Sequence, residues 1–230
     1  WIGHPSVAIA EPNLLRQLMS RIPDDSRFNQ QWALDNIGQT TGGMPDADID
    51  APEAWDLHRG SADVVVAVID TGIDHDHVDL VDNMWVNTVE RDGVADFDDD
   101  GNGFIDDIFG CDLLGAGSRI EDGIEKLICV EQSDSVGHGT HVAGIIGAQG
   151  NNNLGAVGVN WDVSLMELQA GDSGGIDLLA SYQSMAYAFY RKHTYILEQS
   201  GQPVSKPFYG TPANIVAVNA SYSDPASSLL

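Results

Sequence analysis

Six consecutive apolar residues, Val64–Ile69, constrain the fold of this chain more than any other segment. Most of them are β-branched, and such a run is typical of a strand that is covered on both faces in a parallel sheet. Val163–Leu168 and Ile215–Asn219 predict further strands, and residues 137–148 and 176–190 predict helices between them. This alternation indicates an α/β fold, a doubly wound and mostly parallel sheet with helices on both faces.

The stretches between these elements predict smaller elements and loops. Residues 52–57 predict a short helix, and residues 6–10 predict a short strand. Residues 86–135 are rich in Asp and Gly and predict mostly loop, and the polar residues 191–213 predict a surface insertion. We therefore expect the main sheet to carry most of the regular structure.

The charge of the chain limits its partners. Acidic residues outnumber basic ones by 35 to 10, which gives a formal net charge of −25 over 230 residues. Nucleic acids and anionic membranes repel such a surface, so we expect neither as a partner. The balance fits a cation-binding, secreted or salt-adapted protein, or simply a solvated acidic surface.

The chain shows no targeting or membrane-spanning segment. None of its apolar runs approaches the ~20 residues that a bilayer-spanning helix needs. It begins at Trp1 without an initiator Met or a leader, so we expect it to be an excerpt of a longer protein.

Asp70 and His138 are residue types that could act together as a catalytic pair. Asp70 follows the Val64–Ile69 strand, and His138 begins a helix whose buried face is predicted to be Val142, Ile145 and Ile146. A carboxylate can fix the tautomer of an imidazole, and such a pair activates a hydroxyl or thiol nucleophile. Residue types alone favour a structural role for both.

Two longer motifs change that balance, because they resemble those of subtilisin-like serine proteases, the subtilase family. Residues 68–74 (Val-Ile-Asp-Thr-Gly-Ile-Asp) resemble the family's aspartate motif, and residues 138–144 (His-Gly-Thr-His-Val-Ala-Gly) match its histidine motif at every position. The order, aspartate before histidine, is also that of the family. Shorter landmarks extend the resemblance, at residues 28–34, 51–55, 155–159 and 219–221.

The resemblance implies a secreted serine endopeptidase that acts on polypeptide substrates. Asp70 would be the aspartate of the triad, and His138 would be the general base that takes a proton from a serine. His141 is expected to be buried or to support this pair rather than to catalyse.

The resemblance also divides the chain into two parts. Residues 1–25 are expected to be the end of an inhibitory propeptide, which would be a partner of the enzyme. Residues 26–230 would be the N-terminal part of the peptidase domain. We therefore expect the sheet to be incomplete at the C-terminus.

Residues that would contact substrate are implied near the end of the chain. Ser221, Tyr222 and Ser223 match the family's substrate-lining strand, which pairs with the peptide backbone. The family has a glycine where Ser223 stands, so a side chain there could narrow the primary specificity pocket, or the strand could be shifted by one residue. Gly174 and Gly175 are a weaker match to the opposite wall.

The family's nucleophile motif, Gly-Thr-Ser-Met-Ala, does not occur among these 230 residues, and neither does its oxyanion asparagine motif. Asn219 belongs to a strand landmark and does not replace that asparagine. None of Ser221, Ser223, Ser227 and Ser228 has the motif or a helix start behind it. We therefore expect this chain by itself not to hydrolyse peptides.

An acidic loop at residues 98–107 resembles a calcium-binding loop. Its Asp and Asn residues fall at alternating positions, and hard oxygen ligands favour calcium over zinc or copper. Phe109 stands where an EF-hand has its bidentate glutamate, so a full EF-hand is not expected, and the alternative is an acidic turn without an ion. The predicted ligands of a structural calcium ion are Asp98, Asp100, Asn102, the carbonyl of Phe104, Asp106 and, to complete the shell, Asp107 or a carboxylate from elsewhere.

The two cysteines, Cys111 and Cys129, could form a disulfide in a secreted protein, and would stay as unlinked thiols in a cytosolic one. Two other functions stay open. The first is a non-catalytic subtilase homologue or a calcium-stabilised peptide-binding module. The second is an aspartic protease, whose signature is also Asp-Thr-Gly, but this needs a second such motif and leaves the motif of His138 unexplained.

Overall fold

The computed structural model describes residues 22–121, 123–129, 134–204 and 210–223. The strand predicted at residues 6–10 and most of the predicted propeptide segment lie outside these residues. The strands are β1 (Gly60–Asp70), β2 (Phe104–Ile105), β3 (Gly110–Asp112), β4 (Gly117–Glu121), β5 (Ile124–Ile128), β6 (Asp162–Gln169), β7 (Gly171–Asp172), β8 (Gly175–Ile176) and β9 (Ile215–Ala220). The helices are α1 (Ala51–Trp55), α2 (Thr88–Arg91), α3 (His138–Gly147) and α4 (Leu178–Gln199), with short 3-10 turns at Phe28–Gln30 and Val81–Asn83.

The main sheet has the strand order β3-β6-β1-β9, and each neighbouring pair is parallel. β1 therefore lies inside the sheet, as its continuous apolar run predicts. Strands β1, β6 and β9 of this sheet end at the same level, because Asp70 pairs with Gln169 and Ile69 pairs with Ala220. The carboxyl ends of β1, β6 and β9 thus form one edge, where sites of open α/β sheets collect.

Side chains of β1 alternate between two cores, one on each face of the sheet. Ala67 and Ile69 belong to a core that includes Tyr187 of α4, whereas Val68 belongs to a second core that includes Ala143 of α3. Helices therefore cover both faces, and the predicted doubly wound α/β fold is confirmed. A third cluster of buried residues joins the N-terminal turns to the segment before β6, and it comprises Phe28, Leu34, Ala51, Trp55, Val157 and Trp161.

Most of the described residues among 86–135 lie in loops, as predicted, but the short elements among them were not predicted. These elements are α2, β3 and a second sheet with the order β2-β5-β4. The hairpin of β4 and β5 mixes charged with apolar side chains in no strict alternation, which hides it in the sequence. Lys126 on β5 lies 3.0 Å from Glu121 on β4, so an ion pair is one of its cross-strand contacts, and Arg119 lies 2.7 Å from Glu121 within β4.

The prediction of a surface insertion at residues 191–213 is wrong for residues 191–199, and residues 205–209 lie outside the described residues. α4 continues to Gln199, and Arg191 and Thr194 on it are each only 1% exposed. Polar side chains in this part of the helix face inward because they have buried polar partners: Arg191 Nη1 lies 3.4 Å from Oδ2 of Asp100.

The predicted buried face of α3 needs correction as well. Ile145 is 56% exposed, and the buried residues of this helix are Gly139, Ala143 and Gly147. A Cβ atom on Gly147 would lie 2.3 Å from Cγ1 of Val163, so only a residue without a side chain fits there. The helix packs on the sheet through its small residues, and Val142 and Ile146 are partly buried against the same core, so the prediction is wrong for Ile145 alone.

A disulfide joins Cys111 of β3 to Cys129, the residue after β5. The predicted bond is confirmed, and it links the main sheet to the second sheet. Among the described helices, none has the length and apolar character that crossing a bilayer requires.

Candidate active site

Asp70 is the last residue of β1 and is 1% exposed. Its Oδ1 atom accepts a hydrogen bond from the backbone N–H of Thr71 (2.8 Å) and lies 2.6 Å from Nδ1 of His138. Its backbone carbonyl accepts from the N–H of Ala170, the residue after β6 (2.9 Å). The main-chain hydrogen bond to the end of the neighbouring strand therefore helps to fix the position of Asp70.

His138 is the first residue of α3, and its side chain is 52% exposed. The hydrogen bond with Asp70 and the charge of that carboxylate raise the pKa of His138 above its ordinary value, more than its slight burial lowers it. When Nδ1 donates to Asp70, Nε2 carries a lone pair that can take a proton. The geometry therefore supplies an oriented base that is open to solvent and hence to a substrate.

Two glycines let α3 approach β1 closely enough for this contact. A Cβ atom on Gly139 would lie 2.1 Å from the carbonyl oxygen of Gly72 and 3.0 Å from Cβ of Asp70. Gly72 has φ +105°, which lies in the region that residues with side chains rarely adopt. Sterics therefore explain a glycine in each motif, Gly72 in the aspartate motif and Gly139 in the histidine motif.

The residues predicted to contact substrate lie at the same edge of the sheet. Ser221, Tyr222 and Ser223 directly follow β9, so they lie beyond the level of Asp70. Ser221 and Ser223 are exposed, whereas the ring of Tyr222 packs against the core. The hydroxyl of Tyr222 forms a short hydrogen bond with Oγ of Ser181 on α4.

Gly174 and Gly175 lie at a hairpin that follows β6 by a few residues. Gly175 is in β8, which pairs with β7, and the N–H of Gly174 donates to Oδ1 of Asp172 (2.6 Å). Their contact with a substrate stays a prediction. His141 is exposed, so of the two expected roles burial is excluded, and support of the pair stays a prediction. It lies one helical turn after His138, on a side of α3 that borders an open groove.

The acidic loop places two of the predicted calcium ligands together. One carboxylate oxygen each of Asp98, Asp100 and Glu90 lie within 4.8 Å of one another, and all three residues are buried. The backbone N–H of Asn102 donates to Asp98 (2.9 Å) and to Asp100 (3.1 Å). Lys126 Nζ lies 2.9 Å from Oδ2 of Asp98 and offsets part of the negative charge.

Glu90 was not among the predicted ligands, because it lies on α2 and the loop sequence gives no sign of it. Burial raises its pKa from 4.5 to about 7, and the charges of Asp100 and Asp98 act in the same direction. Its oxygens accept from the N–H groups of Asp100 (2.9 Å) and Asp106 (3.1 Å). A divalent cation would favour the ionised forms of these crowded carboxylates, so the donor set fits calcium.

The other predicted ligands face different partners in the described part of the chain. Asp106 Oδ2 accepts from the N–H of Asp96 (2.8 Å), and the N–H of Phe104 donates to Oδ1 of Asn102 (2.6 Å). Neither Asp106 nor Asp107 belongs to the group that contains Glu90.

Asp107 is fully buried in a polar network. Its oxygens accept from Nδ2 of Asn87 (2.9 Å), Nδ2 of Asn102 (2.9 Å) and the hydroxyl of Tyr187. Burial raises the pKa of Asp107 well above its ordinary value, although the charge of Arg191 opposes this. These contacts favour a structural role for Asp107, and Glu90 is the further carboxylate that lies with Asp98 and Asp100.

Curated relatives of the chain are proteases. "Subtilisin-like protease 1" of Plasmodium falciparum is 43% identical over 108 residues, which are 46% of this chain and 14% of that protein. The protein of the same name from Plasmodium berghei is 32% identical over 170 residues, 74% of this chain and 25% of that protein. "Extracellular protease" of Xanthomonas campestris pv. campestris is 31% identical over 183 residues, 72% and 27% respectively.

The alignments thus span about a quarter or less of each of these relatives. Among solved structures, a chain described as "Proteases from Pseudoalteromonas arctica PAMC 21717" matches with 27% identity and a TM-score of 0.47. The match covers 87% of the present chain and 50% of the solved one. The sequence model of the subtilase family matches residues 61–226, which is well over half of the chain. The predicted resemblance is therefore confirmed, and the chain belongs to the subtilase family.

Proposed function

We propose that the protein containing this chain is a serine endopeptidase in which Asp70 orients His138 and His138 acts as general base. The 2.6 Å contact between Asp70 Oδ1 and His138 Nδ1 at the carboxyl edge of the sheet is the observation that carries this proposal. The names of the relatives, which are all proteases, support the reaction class.

The proposed reaction is acyl transfer to a serine outside the described residues. The serine oxygen attacks the peptide carbonyl carbon while Nε2 of His138 takes the hydroxyl proton, and Asp70 stabilises the imidazolium that forms. The C–N bond then breaks, and His138 gives the proton to the leaving amine. Water attacks the acyl-enzyme in the same way, which releases the carboxylic acid and restores the serine.

The substrate would lie along the edge where β1, β6 and β9 end. We propose that residues 221–223 pair with its backbone and that Gly174 and Gly175 border it on the other side. Ser223 is exposed, so its side chain is free to affect which residues fit. Two relatives are named extracellular proteases, from Xanthomonas campestris and Natrialba magadii, which supports export, as does the disulfide. The end of a propeptide at residues 1–25 stays part of this proposal.

We also propose that the loop of residues 98–107 binds a structural calcium ion. Asp98, Asp100 and Glu90 would hold the ion, and Asn102 and the carbonyl of Phe104 are close enough in sequence to add oxygen ligands. When bound, the ion would supply positive charge that offsets repulsion among buried carboxylates. The loop includes β2 of the second sheet and is followed by Cys111 of the disulfide, so this ion would support the fold rather than the reaction.

The test is cleavage of a denatured protein substrate by the full-length protein that contains this chain. Replacement of His138 or Asp70 by Ala is expected to lower kcat on the order of 10⁴- to 10⁶-fold. His58→Ala is the control, since His58 is an exposed residue before β1. Full activity of His138→Ala would contradict the proposed base, and an inactive wild type would contradict the reaction and favour a peptide-binding module.

A further inference from the structure

The side chain of Asp134 lies between the turn after β1 and the first turn of α3. Its Oδ1 atom accepts from Oγ1 of Thr71 (3.0 Å) and from the N–H groups of Val136 (3.1 Å) and Gly137 (2.8 Å). Its Oδ2 atom accepts from the N–H (2.9 Å) and from Oγ1 (2.7 Å) of Thr140. A single carboxylate thus receives five hydrogen bonds from the segments that carry Asp70 and His138.

The two threonines that donate to Asp134 also join these segments to each other. Oγ1 of Thr71 accepts from the N–H of Gly139 on α3 (3.1 Å), and Oγ1 of Thr140 accepts from the N–H of Asp74 in the turn after β1 (2.9 Å). A carboxylate can only accept, so both hydroxyls must point their protons at Asp134. Their lone pairs then face the two backbone donors, and the cross-links are fixed in direction.

Asp134 is ionised over the range in which a histidine base works. Burial raises its pKa, but hydrogen bonds from Thr140, Gly137 and Thr71 outweigh burial and hold the pKa below its ordinary value. Its negative charge also raises the pKa of His138, although less than Asp70 does. The helix N-terminus of α3 favours a negative charge at this place as well.

We propose that Asp134 is a positioning residue: through Thr71 and Thr140 it holds the start of α3 against the end of β1 and so sets the contact between His138 and Asp70. The catalytic part of this inference rests on the proposed function, whereas the geometric part does not. Sequence analysis did not select Asp134, because its hydrogen bond from Thr71 spans 63 positions and forms only in the folded chain.

The geometric part is tested by NMR on the full-length protein with ¹⁵N-labelled histidine. The proton of His138 that is shared with Asp70 is expected as a low-field signal, assigned by its absence in His138→Ala. In Asp134→Asn and Thr140→Val this signal is expected to broaden or vanish, and the pKa of His138 to fall. The charged groups that act on the pKa of His138 are Asp70 and Asp134. The groove that Asp134 and His141 border is also lined by Asp74, His77, Asp79 and Arg27.

Matched variants separate this role from general destabilisation. Thr140→Ser keeps the hydroxyl, so it is expected to restore both the signal and the activity that Thr140→Val loses. Asp162→Asn removes an exposed carboxylate at the far end of β6 and is expected to behave as wild type. If Asp134→Asn does not fold, the comparison of Val and Ser at residue 140 decides the question.

Kinetics give the second measurement. In Asp134→Asn and Thr140→Val, kcat is expected to fall at least about tenfold, with KM changed by less than about threefold, because the base is misplaced while the peptide-binding edge is intact. An inactive wild type that keeps the low-field signal would contradict the proposed function alone. A signal and kcat that are unchanged in both variants would overturn the role of Asp134.

Discussion

Nδ1 of His138 lies 2.6 Å from Oδ1 of Asp70, although 68 positions separate the two residues in sequence. β1 delivers the carboxylate and α3 delivers the imidazole, and each is the terminal residue of its element. The contact therefore depends on how closely α3 packs against the end of β1.

The first prediction concerns pH. Because Asp70 raises the pKa of His138, the neutral imidazole that serves as base becomes dominant only above its ordinary pKa of 6.5. Activity of the full-length protein should therefore rise with pH along an acidic limb that lies above 6.5. In Asp70→Asn the limb should move to lower pH, with much lower activity. A plot of kcat/KM against pH, from about 5 to 9, tests this. An identical limb in both proteins would refute it.

The same shift in the pKa of His138 makes stability change with pH in the opposite direction to activity. A histidine whose pKa is raised on folding stabilises the folded state below its unfolded pKa, and this contribution is lost as the pH rises through the folded value. The contact with Asp70 should thus add stability in mildly acidic buffer and add less above neutral pH. Comparing the melting temperatures of wild type and His138→Ala in these two buffers measures the difference. A gap that widens with pH would argue against it.

The second prediction compares two glycines of α3. Gly139→Ala should greatly reduce activity, because its Cβ would lie 2.1 Å from the carbonyl oxygen of Gly72 and push α3 away from β1. Gly144→Ala should keep activity and gain up to about 1 kcal/mol of stability, since nothing lies within 4 Å of its added Cβ. Activity and thermal unfolding of both variants test the pair. Equal activities would contradict the proposed close approach.

The third prediction concerns calcium. Chelation should lower the melting temperature of the full-length protein, and at a hundredfold excess over Kd calcium should restore about 2.7 kcal/mol. Asp98→Asn and Glu90→Gln should remove most of this response. Asp99→Asn is the control, because Asp99 accepts from the N–H of Val94 and is not in the carboxylate group. A response to calcium that survives in Glu90→Gln would exclude Glu90 as a ligand, and no response in wild type would exclude the site.

The fourth prediction concerns the buried Arg191. Its Nη1 atom lies 3.4 Å from Oδ2 of Asp100 and from the carbonyl oxygen of Thr211. Arg191→Met would leave Asp100 without this partner, so it should cost about 3–5 kcal/mol of unfolding free energy. Lys192→Met, which removes one hydrogen bond to Asn214 (2.8 Å), should cost about 1 kcal/mol. Urea unfolding measures both, and a cost for Arg191→Met no larger than the control would show that the pair adds nothing.

Much of the fold could be predicted because apolar periodicity reports burial directly. The β-branched run of Val64–Ile69 placed β1 inside a parallel sheet, and the motif order placed Asp70 and His138 on adjoining elements. The hairpin of β4 and β5 was missed because its charged and apolar residues do not alternate strictly. The buried face of α3 was assigned to Val142, Ile145 and Ile146, but Ile145 is exposed and glycines such as Gly139 make the closest contact, which a hydrophobicity pattern does not register.

The candidate site was predictable only where its residues lie in one motif. Asp98 and Asp100 follow from the spacing in their loop, but Glu90 comes from α2 and joins them only when the chain folds. Asp134 has local donors before and in α3, but its link to the end of β1 comes from Thr71, 63 positions away. Contacts of this kind are set by tertiary packing and leave no local pattern in the sequence.

The central claim is that His138 activates a serine nucleophile, and labelling with a fluorophosphonate probe tests it most directly. The full-length wild-type protein and the control Asp162→Asn should each be modified on one serine, which mass spectrometry would locate. His138→Ala should react far more slowly, because nothing then takes the hydroxyl proton. A wild type that is not modified, or a His138→Ala variant that is modified equally fast, would contradict the account.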